Sequence, residues 1–224
     1  MAPAPGGLRL VLLGPPGVGK GTQAAAIRET ARVPHISTGE IFRAAMRDGS
    51  ALGRRVRAMV ERGDLVPDDL VGDLVEERLG RPDGRAGFLL DGFPRTIVQA
   101  DRLDRILGAQ GVRLDAVVNL SVPEPEIVER LSGRRVCASC GALYHTRSSR
   151  PRVEGVCDDC GGALQERSDD RPEAVAERLR VYGEQSAPLV ARYQKSGLLR
   201  TVDGRGRPDE VLARIVAAVP VLGE

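Results

Sequence analysis

Short apolar runs alternate with helical patterns along most of this 224-residue chain. Mostly apolar runs of strand length occupy residues 8–13, 87–90 and 116–120, with single polar interruptions at Arg9 and Asn119, and another run lies near residues 198–202. Runs without polar alternation are typical of strands that are covered on both faces. The pattern therefore predicts an α/β fold, with a parallel sheet and helices on both of its faces.

Helical patterns fill the intervals between these predicted strands. Residues 20–32 form an alanine-rich helical stretch, and a last helix is expected over residues 208–219. Between the second and third strands, apolar residues recur at helical spacing at Ile97, Leu103, Ile106 and Leu107.

Two stretches interrupt this alternation. Residues 37–66, the helical segment, show only helical patterns, with turns at Gly49 and Gly63. Residues 133–170, the cysteine segment, lose helical character and are rich in cysteine, glycine, serine and arginine. We expect both to be insertions outside a main core that is formed by residues 1–36, 67–132 and 171–224.

Composition excludes several classes of protein. Hydrophobic residues make up 42% and charged residues 29% of the chain, which argues against a disordered chain or a fibre. The net charge of +2 argues against a polybasic protein. No stretch approaches the roughly 20 apolar residues of a membrane span, and the first seven residues do not resemble a signal peptide. We therefore expect a cytoplasmic protein.

A phosphate-binding loop is predicted at residues 14–20, which read GPPGVGK. This sequence fits the G-x-x-x-x-G-K pattern, directly after a predicted strand and before a predicted helix. Backbone N–H groups at such a helix start bind phosphate, and Lys20 adds a point charge. The alternative is a glycine-rich tight turn. The hydroxyl residue that normally follows the lysine is displaced here, because Gly21 precedes Thr22.

All four cysteines form two C-x2-C pairs, at Cys137 and Cys140 and at Cys157 and Cys160, with sixteen residues between the pairs. This spacing predicts a closed structural zinc site with four thiolate ligands. Two disulfides, or iron in place of zinc, are the alternatives. We expect His145 to bond polar groups of the cysteine segment rather than the metal, since four sulfurs complete the coordination.

Six further motifs occur along the chain in a distinctive order and spacing. They are KGTQ (20–23), STGE (37–40) with Arg43, LVPD (65–68), LDGFPRT (90–96) with Gln99, GRR (133–135), and RSDD (167–170) with Arg178. Together they resemble the adenylate kinase family over nearly the whole chain. The resemblance implies a bacterial-type adenylate kinase with a long zinc-binding lid, in which the helical segment binds the nucleoside monophosphate (NMP) and the cysteine segment closes over ATP.

The resemblance also implies roles for individual residues. Phosphoryl transfer depends mainly on positioning and on charge stabilisation, so cations rather than a protein nucleophile are expected. The implied catalytic residues are Lys20, Arg95, Arg130, Arg134, Arg167 and Arg178. Arg43, Arg95 and Arg178 would clamp the AMP phosphate, while Arg130, Arg134 and Arg167 would neutralise the ATP phosphates. For any single arginine the alternative is a solvated surface charge.

The implied binding sites cover both nucleotides. The ATP site would comprise Gly17, Val18, Gly19, Lys20, Gly21, Thr22, Arg130, Arg134, Leu143, Tyr144 and Gly206. The AMP site would comprise Thr38, Arg43, Asp64, Leu65, Val66, Gly92, Phe93, Pro94, Arg95, Gln99, Arg167 and Arg178.

We expect Asp91 to bind magnesium and Gln99 to contact the base of the monophosphate. Asp91 ends an apolar strand, where a carboxylate needs a cation, so it would hold the Mg²⁺ of MgATP through water. The alternative is an aspartate that caps the following turn. The amide of Gln99 could read the donor and acceptor edge of adenine, although it cannot exclude other bases by itself.

The expected reaction is MgATP + AMP ⇌ 2 ADP, with lid closure excluding water. Alternatives are a UMP/CMP kinase or a GTP-dependent kinase of the same group. A more distant alternative is a zinc-ribbon protein that binds nucleic acid. The aromatic content of only 3% argues against it, because few side chains are available to stack on bases. The expected partners are ATP, AMP and ADP, with no nucleic acid and no membrane, and we expect a monomer.

Overall fold

A computed structural model describes residues 7–222, and residues 1–6 and 223–224, the ends of the predicted core, lie outside the described part. Its centre is a five-stranded sheet in the order β2-β3-β1-β4-β8, with every pairing parallel. The predicted α/β class is therefore confirmed. The strands are β1 (Arg9–Leu13), β2 (His35–Ser37), β3 (Phe88–Asp91), β4 (Ala116–Ser121) and β8 (Leu199–Asp203).

The central strands are buried on both faces because alternate side chains enter two different cores. In β1, Leu10 and Leu12 belong to one core, while Val11 and Leu13 belong to the other. Helices α1 (Lys20–Ala31), α7 (Glu124–Ser132) and α10 (Pro208–Ala218) cover the first core. Helices α4 (Asp68–Gly80), α6 (Ile97–Ala109) and α9 (Pro188–Lys195) cover the second.

The helical segment consists of two amphipathic helices, α2 (Thr38–Arg47) and α3 (Ala51–Arg62). Serine side chains cap both helices: Ser37 accepts from the N–H of Glu40, and Ser50 accepts from the N–H of Gly53. The caps set where each helix begins. As predicted, residues 38–66 add no strand to the sheet, although Ser37 itself is the last residue of β2.

The cysteine segment forms a separate antiparallel sheet in the order β6-β5-β7. Its strands are β5 (Arg134–Cys137), β6 (Leu143–His145) and β7 (Leu164–Gln165). The expectation that this segment lacks helical character is wrong at its end, where Ser168–Asp170 forms a 3₁₀ turn. This turn closes because the N–H of Asp170 bonds the carbonyl of Arg167.

Some elements were not predicted from the apolar pattern. Strand β2 has only three residues and follows a proline, so it carries little periodic signal. The short helix α5 (Pro82–Ala86) precedes β3, and α8 (Pro172–Val181) continues into α9 through a π-helical turn at Tyr182–Ser186. Within residues 7–222, none of the helices combines the length and apolar character that crossing a bilayer requires.

Candidate active site

The predicted phosphate-binding loop, residues 14–20, connects the carboxyl end of β1 to the N-terminus of α1 and is packed tightly against α7. Gly17 has φ +80°, and a Cβ there would lie 2.7 Å from Leu131 Cγ. Only glycine meets both conditions. The side chain of Val18 is buried in the core, so this residue presents its backbone to the site. Thr22 is exposed in the first turn of α1.

Lys20 lies inside this loop. Its Nζ donates to the carbonyl oxygens of Gly14 at 2.7 Å and Pro15 at 2.9 Å. Burial lowers the pKa of Lys20 from 10.5 to about 8, although the charge of Asp91 opposes this shift. Among the described residues, this ammonium group donates its hydrogen bonds to backbone carbonyls, which leaves it well placed to accept an anionic partner.

Asp91 ends β3 beside the loop, since it pairs with Leu12 of β1 and Ser37 of β2. Its carboxylate faces the start of α1, where a Cβ on Gly21 would lie 3.9 Å from Asp91 Oδ2. Burial alone would raise the pKa of Asp91, but His35, with Nε2 3.6 Å from Oδ2, and Lys20 hold it below its usual value. A carboxylate kept charged at the loop fits a hydrated magnesium ion.

Two aspartates anchor arginines from different parts of the chain. Arg134 Nε, on β5, donates to Asp170 Oδ2 at 2.7 Å. Arg178 Nη1, on α8, lies 3.1 Å from Asp170 Oδ1 and 3.2 Å from Asp169 Oδ2. Burial would raise the pKa of Asp169, whereas Arg178 and Arg43 lower it. Asp169 and Asp170 end the cysteine segment, so their pairs with Arg178 tie that segment to the core.

The surrounding arginines form a positively charged cluster. Burial lowers the pKa of Arg43 and Arg95, and it lowers that of Arg167 to about 9, with Arg134 adding to the shift. The buried Nε of Arg167 has no hydrogen-bond partner in the described part of the chain. Clustered, partly unpaired cations favour a multiply charged anion such as a phosphate.

A cleft opens between the helical segment and the core. Its floor includes Gly92, whose φ of +81° brings the backbone close: a Cβ would lie 2.8 Å from Thr38 Oγ1. The Gly92 carbonyl accepts from Thr38 Oγ1 at 2.9 Å and from Arg95 Nε at 2.8 Å. The lining residues are Thr38, Gly39, Phe42, Arg43, Val60, Gly63, Asp64, Leu65, Val66, Val71, Gly92, Arg95, Gln99, Asp169 and Arg178.

The four cysteines meet at the tips of two turns. Their sulfur atoms all lie within 4.8 Å of one another, with 3.4 Å between Cys137 and Cys160 and 3.6 Å between Cys140 and Cys157. A tetrahedral zinc–thiolate site requires separations of about 3.8 Å. All four are free thiols, so the disulfide alternative does not hold. The N–H of Cys140 lowers the pKa of the Cys137 thiol to about 6.

Comparison with known proteins identifies the family. The sequence model of the adenylate kinase family matches residues 12–198. The chain belongs to the adenylate kinase family. It is 51% identical to the adenylate kinase of Carboxydothermus hydrogenoformans over 95% of this chain and 99% of that protein. For the adenylate kinase of Moorella thermoacetica the identity is 54%, over 88% and 91%. For that of Methanocella arvoryzae it is 49%, over 95% and 98%.

Most residues that the adenylate kinase resemblance assigned to AMP line the cleft, but three do not. Phe93 and Pro94 are buried, and Arg167 is near enough to the lining residues Arg43 and Asp169 for their charges to affect its pKa. The amide of Gln99 already has two partners, Arg95 N–H and Asp68. Each end of that amide keeps one further hydrogen-bonding position.

The residues assigned to ATP are less closely grouped. Arg130 reaches the loop but donates to the carbonyls of Val18 and Gly204 and to Glu126. Leu143 is exposed on the cysteine segment. The Tyr144 hydroxyl faces the cysteine cluster, 3.5 Å from Cys157 Sγ, and accepts from the N–H of Asp158. Gly206 lies in the turn before α10, with φ +98°.

Some site residues escaped the sequence analysis. Phe42, Val60 and Val71 line the cleft as ordinary apolar helix residues, which no local motif distinguishes. Asp169 and Asp68 occur within quoted family motifs, but their roles depend on contacts with distant residues. His145 bonds its own turn as expected, accepting from the N–H groups of Arg147 and Ser148, and its Nε2 lies 3.3 Å from the carbonyl oxygen of Glu129, outside the cysteine segment.

Proposed function

We propose that this protein catalyses the reversible transfer of the terminal phosphoryl group of MgATP to AMP, which yields two molecules of ADP. One observation carries the proposal: Arg95 and Arg178 line the cleft and also lie close enough to Lys20 to lower its pKa. A loop suited to a triphosphate and a cleft suited to a monophosphate therefore share one field of positive charge.

The chemistry requires no nucleophile from the protein. A phosphate oxygen of AMP attacks the γ-phosphorus of ATP, the bond from that phosphorus to the β–γ bridging oxygen breaks, and ADP leaves with the bonding electrons. Lys20 and the arginines of the cluster hold the reacting groups in line and stabilise the charge that develops on the transferred group. Since no proton has to be removed from AMP, a general base is unnecessary.

Magnesium enters with ATP as part of the substrate and neutralises phosphate charge. Asp91 is the residue that would hold it, through water. Thr22 is exposed and lies one residue beyond the position where the hydroxyl ligand of magnesium usually stands. Asp91 would therefore contribute more to magnesium binding than Thr22.

The cysteine segment would act as a lid over ATP, and the helical segment as the NMP-binding part. Water competing with AMP would turn the enzyme into an ATPase, so closure protects the transfer. Arg134 lies at the start of this lid and pairs with Asp170, the last residue of the lid, which also pairs with Arg178 of the core. We assign zinc to the four cysteines, where it would cross-link a segment too poor in apolar residues to build its own core.

A nucleotide panel tests the proposal. Purified protein with MgATP is given AMP, UMP, CMP or GMP, and ADP formation is followed. Preferential turnover of AMP supports the proposal. Preference for UMP or CMP would instead favour a pyrimidine monophosphate kinase, and GTP replacing ATP would favour a GTP-dependent one. Turnover of none of these would refute the proposal.

We also propose a cytoplasmic monomer that binds neither nucleic acid nor membranes. Free cysteines in a metal-binding arrangement favour a reducing compartment. Light scattering should give a mass near 24.0 kDa. A dimer mass, or a salt-sensitive shift of an oligonucleotide in a gel, would contradict these assignments.

A further inference from the structure

Asp68, the first residue of α4, does not line the cleft but contacts a residue that does. Its Oδ1 accepts from Gln99 Nε2 at 2.7 Å, and its Oδ2 accepts from Thr96 Oγ1 at 3.0 Å. Thr96 in turn caps α6 by accepting from the N–H of Gln99. The carboxylate thus joins the start of α4 to the start of α6, directly behind the cleft.

These contacts determine which way the Gln99 amide points. A carboxylate can only accept from the NH₂ end, and the N–H of Arg95, which can only donate, bonds Gln99 Oε1 at 2.7 Å. Rotating the amide by 180° would place two acceptors together and two donors together. Gln99 is only 1% exposed, so such a mismatch would leave buried polar groups without partners.

The fixed orientation has a consequence for base recognition. Gln99 lines the cleft and keeps one free N–H and one free oxygen lone pair. Adenine carries an amino donor at position 6, where guanine and hypoxanthine carry an acceptor oxygen. An amide held in one orientation can form a hydrogen bond with one of these groups. Opposite the other group it would place donor against donor or acceptor against acceptor.

We propose that Asp68 is a positioning residue that fixes the Gln99 amide and thereby sets the preference for 6-aminopurine over 6-oxopurine monophosphates. This inference rests on the proposed AMP site. Asp68 touches neither substrate nor reacting atoms, and acts only through Gln99.

The test compares AMP with IMP, whose base has oxygen in place of the amino group at position 6. We would measure kcat/KM with MgATP, and calorimetric binding of each monophosphate, for the wild type, Asp68→Ala, Asp68→Asn and Asp69→Ala. Asp69→Ala is the matched control, because Asp69 is exposed in the same helical turn and its loss removes the same charge.

In Asp68→Ala, the preference for AMP over IMP should fall by about tenfold, the size of one hydrogen bond between a charged and a neutral group. Asp68→Asn, which keeps one carbonyl acceptor, should restore part of the preference. Asp69→Ala should match the wild type.

A purely structural role predicts a different result, in which Asp68→Ala lowers Tm but leaves the AMP-to-IMP ratio within twofold of the wild type. That result would overturn the inference while leaving the AMP site intact. A wild type that neither binds nor phosphorylates AMP would refute the proposed function itself, and this inference with it.

Discussion

Arg134 and Asp170 form an ion pair that connects the first strand of the cysteine segment to the 3₁₀ turn at the end of that segment, just before α8. The Asp170 side chain is fully buried and also pairs with Arg178, while Arg134 is 18% exposed. Removing one member of a buried pair leaves the other charge without compensation.

Asp170→Ala should therefore lower the free energy of unfolding by about 3 kcal/mol. Chemical denaturation checks this value. Asp209→Ala is the control, because the pair of Asp209 with Arg207 is mostly exposed and should contribute little to stability. Equal losses in the two variants would mean that the Asp170 pairs do not hold the structure together.

Lys20→Ala should reduce kcat by about 100-fold or more while leaving Tm within a few degrees of the wild type, because a preorganised charge is lost from the transition state. The only other lysine of the chain, Lys195, is exposed at the end of α9 and offers a matched control. Lys195→Ala should keep wild-type rates. Near-normal turnover by Lys20→Ala would exclude the loop from catalysis.

The lowered pKa of Lys20 predicts a pH dependence. The ammonium form binds phosphate, and its fraction in the free enzyme falls as the pH rises through about 8. The kcat/KM for MgATP should therefore decrease above that pH, since this ratio reports ionisations of the free enzyme and free substrate. Lys20→Arg, which stays charged, should be slower but lack this decrease. A flat wild-type profile up to pH 10 would contradict the assignment.

Arg43→Ala should raise KM for AMP by about 10- to 100-fold, the size of a charge-assisted hydrogen bond, with little effect on KM for MgATP. Arg43 lines the cleft, whereas Arg47, one turn further along α2, is exposed and serves as the control. Steady-state kinetics with each substrate varied separately checks this. An equal rise in both KM values would show that Arg43 does not act at the monophosphate site.

Cys157→Ser should lower Tm by about 5 °C or more and remove any further effect of a strong chelator, because the metal stabilises the cysteine segment. Wild-type protein treated with the chelator should show the same Tm as the variant. Ser148→Ala, at an exposed position of the same segment, should behave like the wild type. An unchanged Tm in Cys157→Ser would argue against a structural metal.

The sequence predicts best those features whose residues are close together in the chain. The loop around Lys20 and the two cysteine pairs have fixed local spacings, and the main strands have mostly apolar runs. In contrast, β2 is short and gains its identity only by pairing with β3. The contact of Asp68 with Gln99 joins residues 31 positions apart, so no local pattern shows it.

The assignments at the ATP site show a second limit. The resemblance assigns Tyr144 to the ATP site, but it does not predict that the hydroxyl of Tyr144 contacts Cys157 and the N–H of Asp158. A motif fixes the position of a residue in the chain, whereas the direction of its side chain depends on which partners the fold brings within reach.

The most direct test of the central claim begins with ADP alone. Purified protein, ADP and magnesium are incubated, and the nucleotides and free phosphate are quantified over time. The proposed reaction predicts that ATP and AMP appear in equal amounts, without phosphate release. Conversion of ADP to AMP with release of phosphate, or no conversion by the metal-loaded protein, would contradict the account.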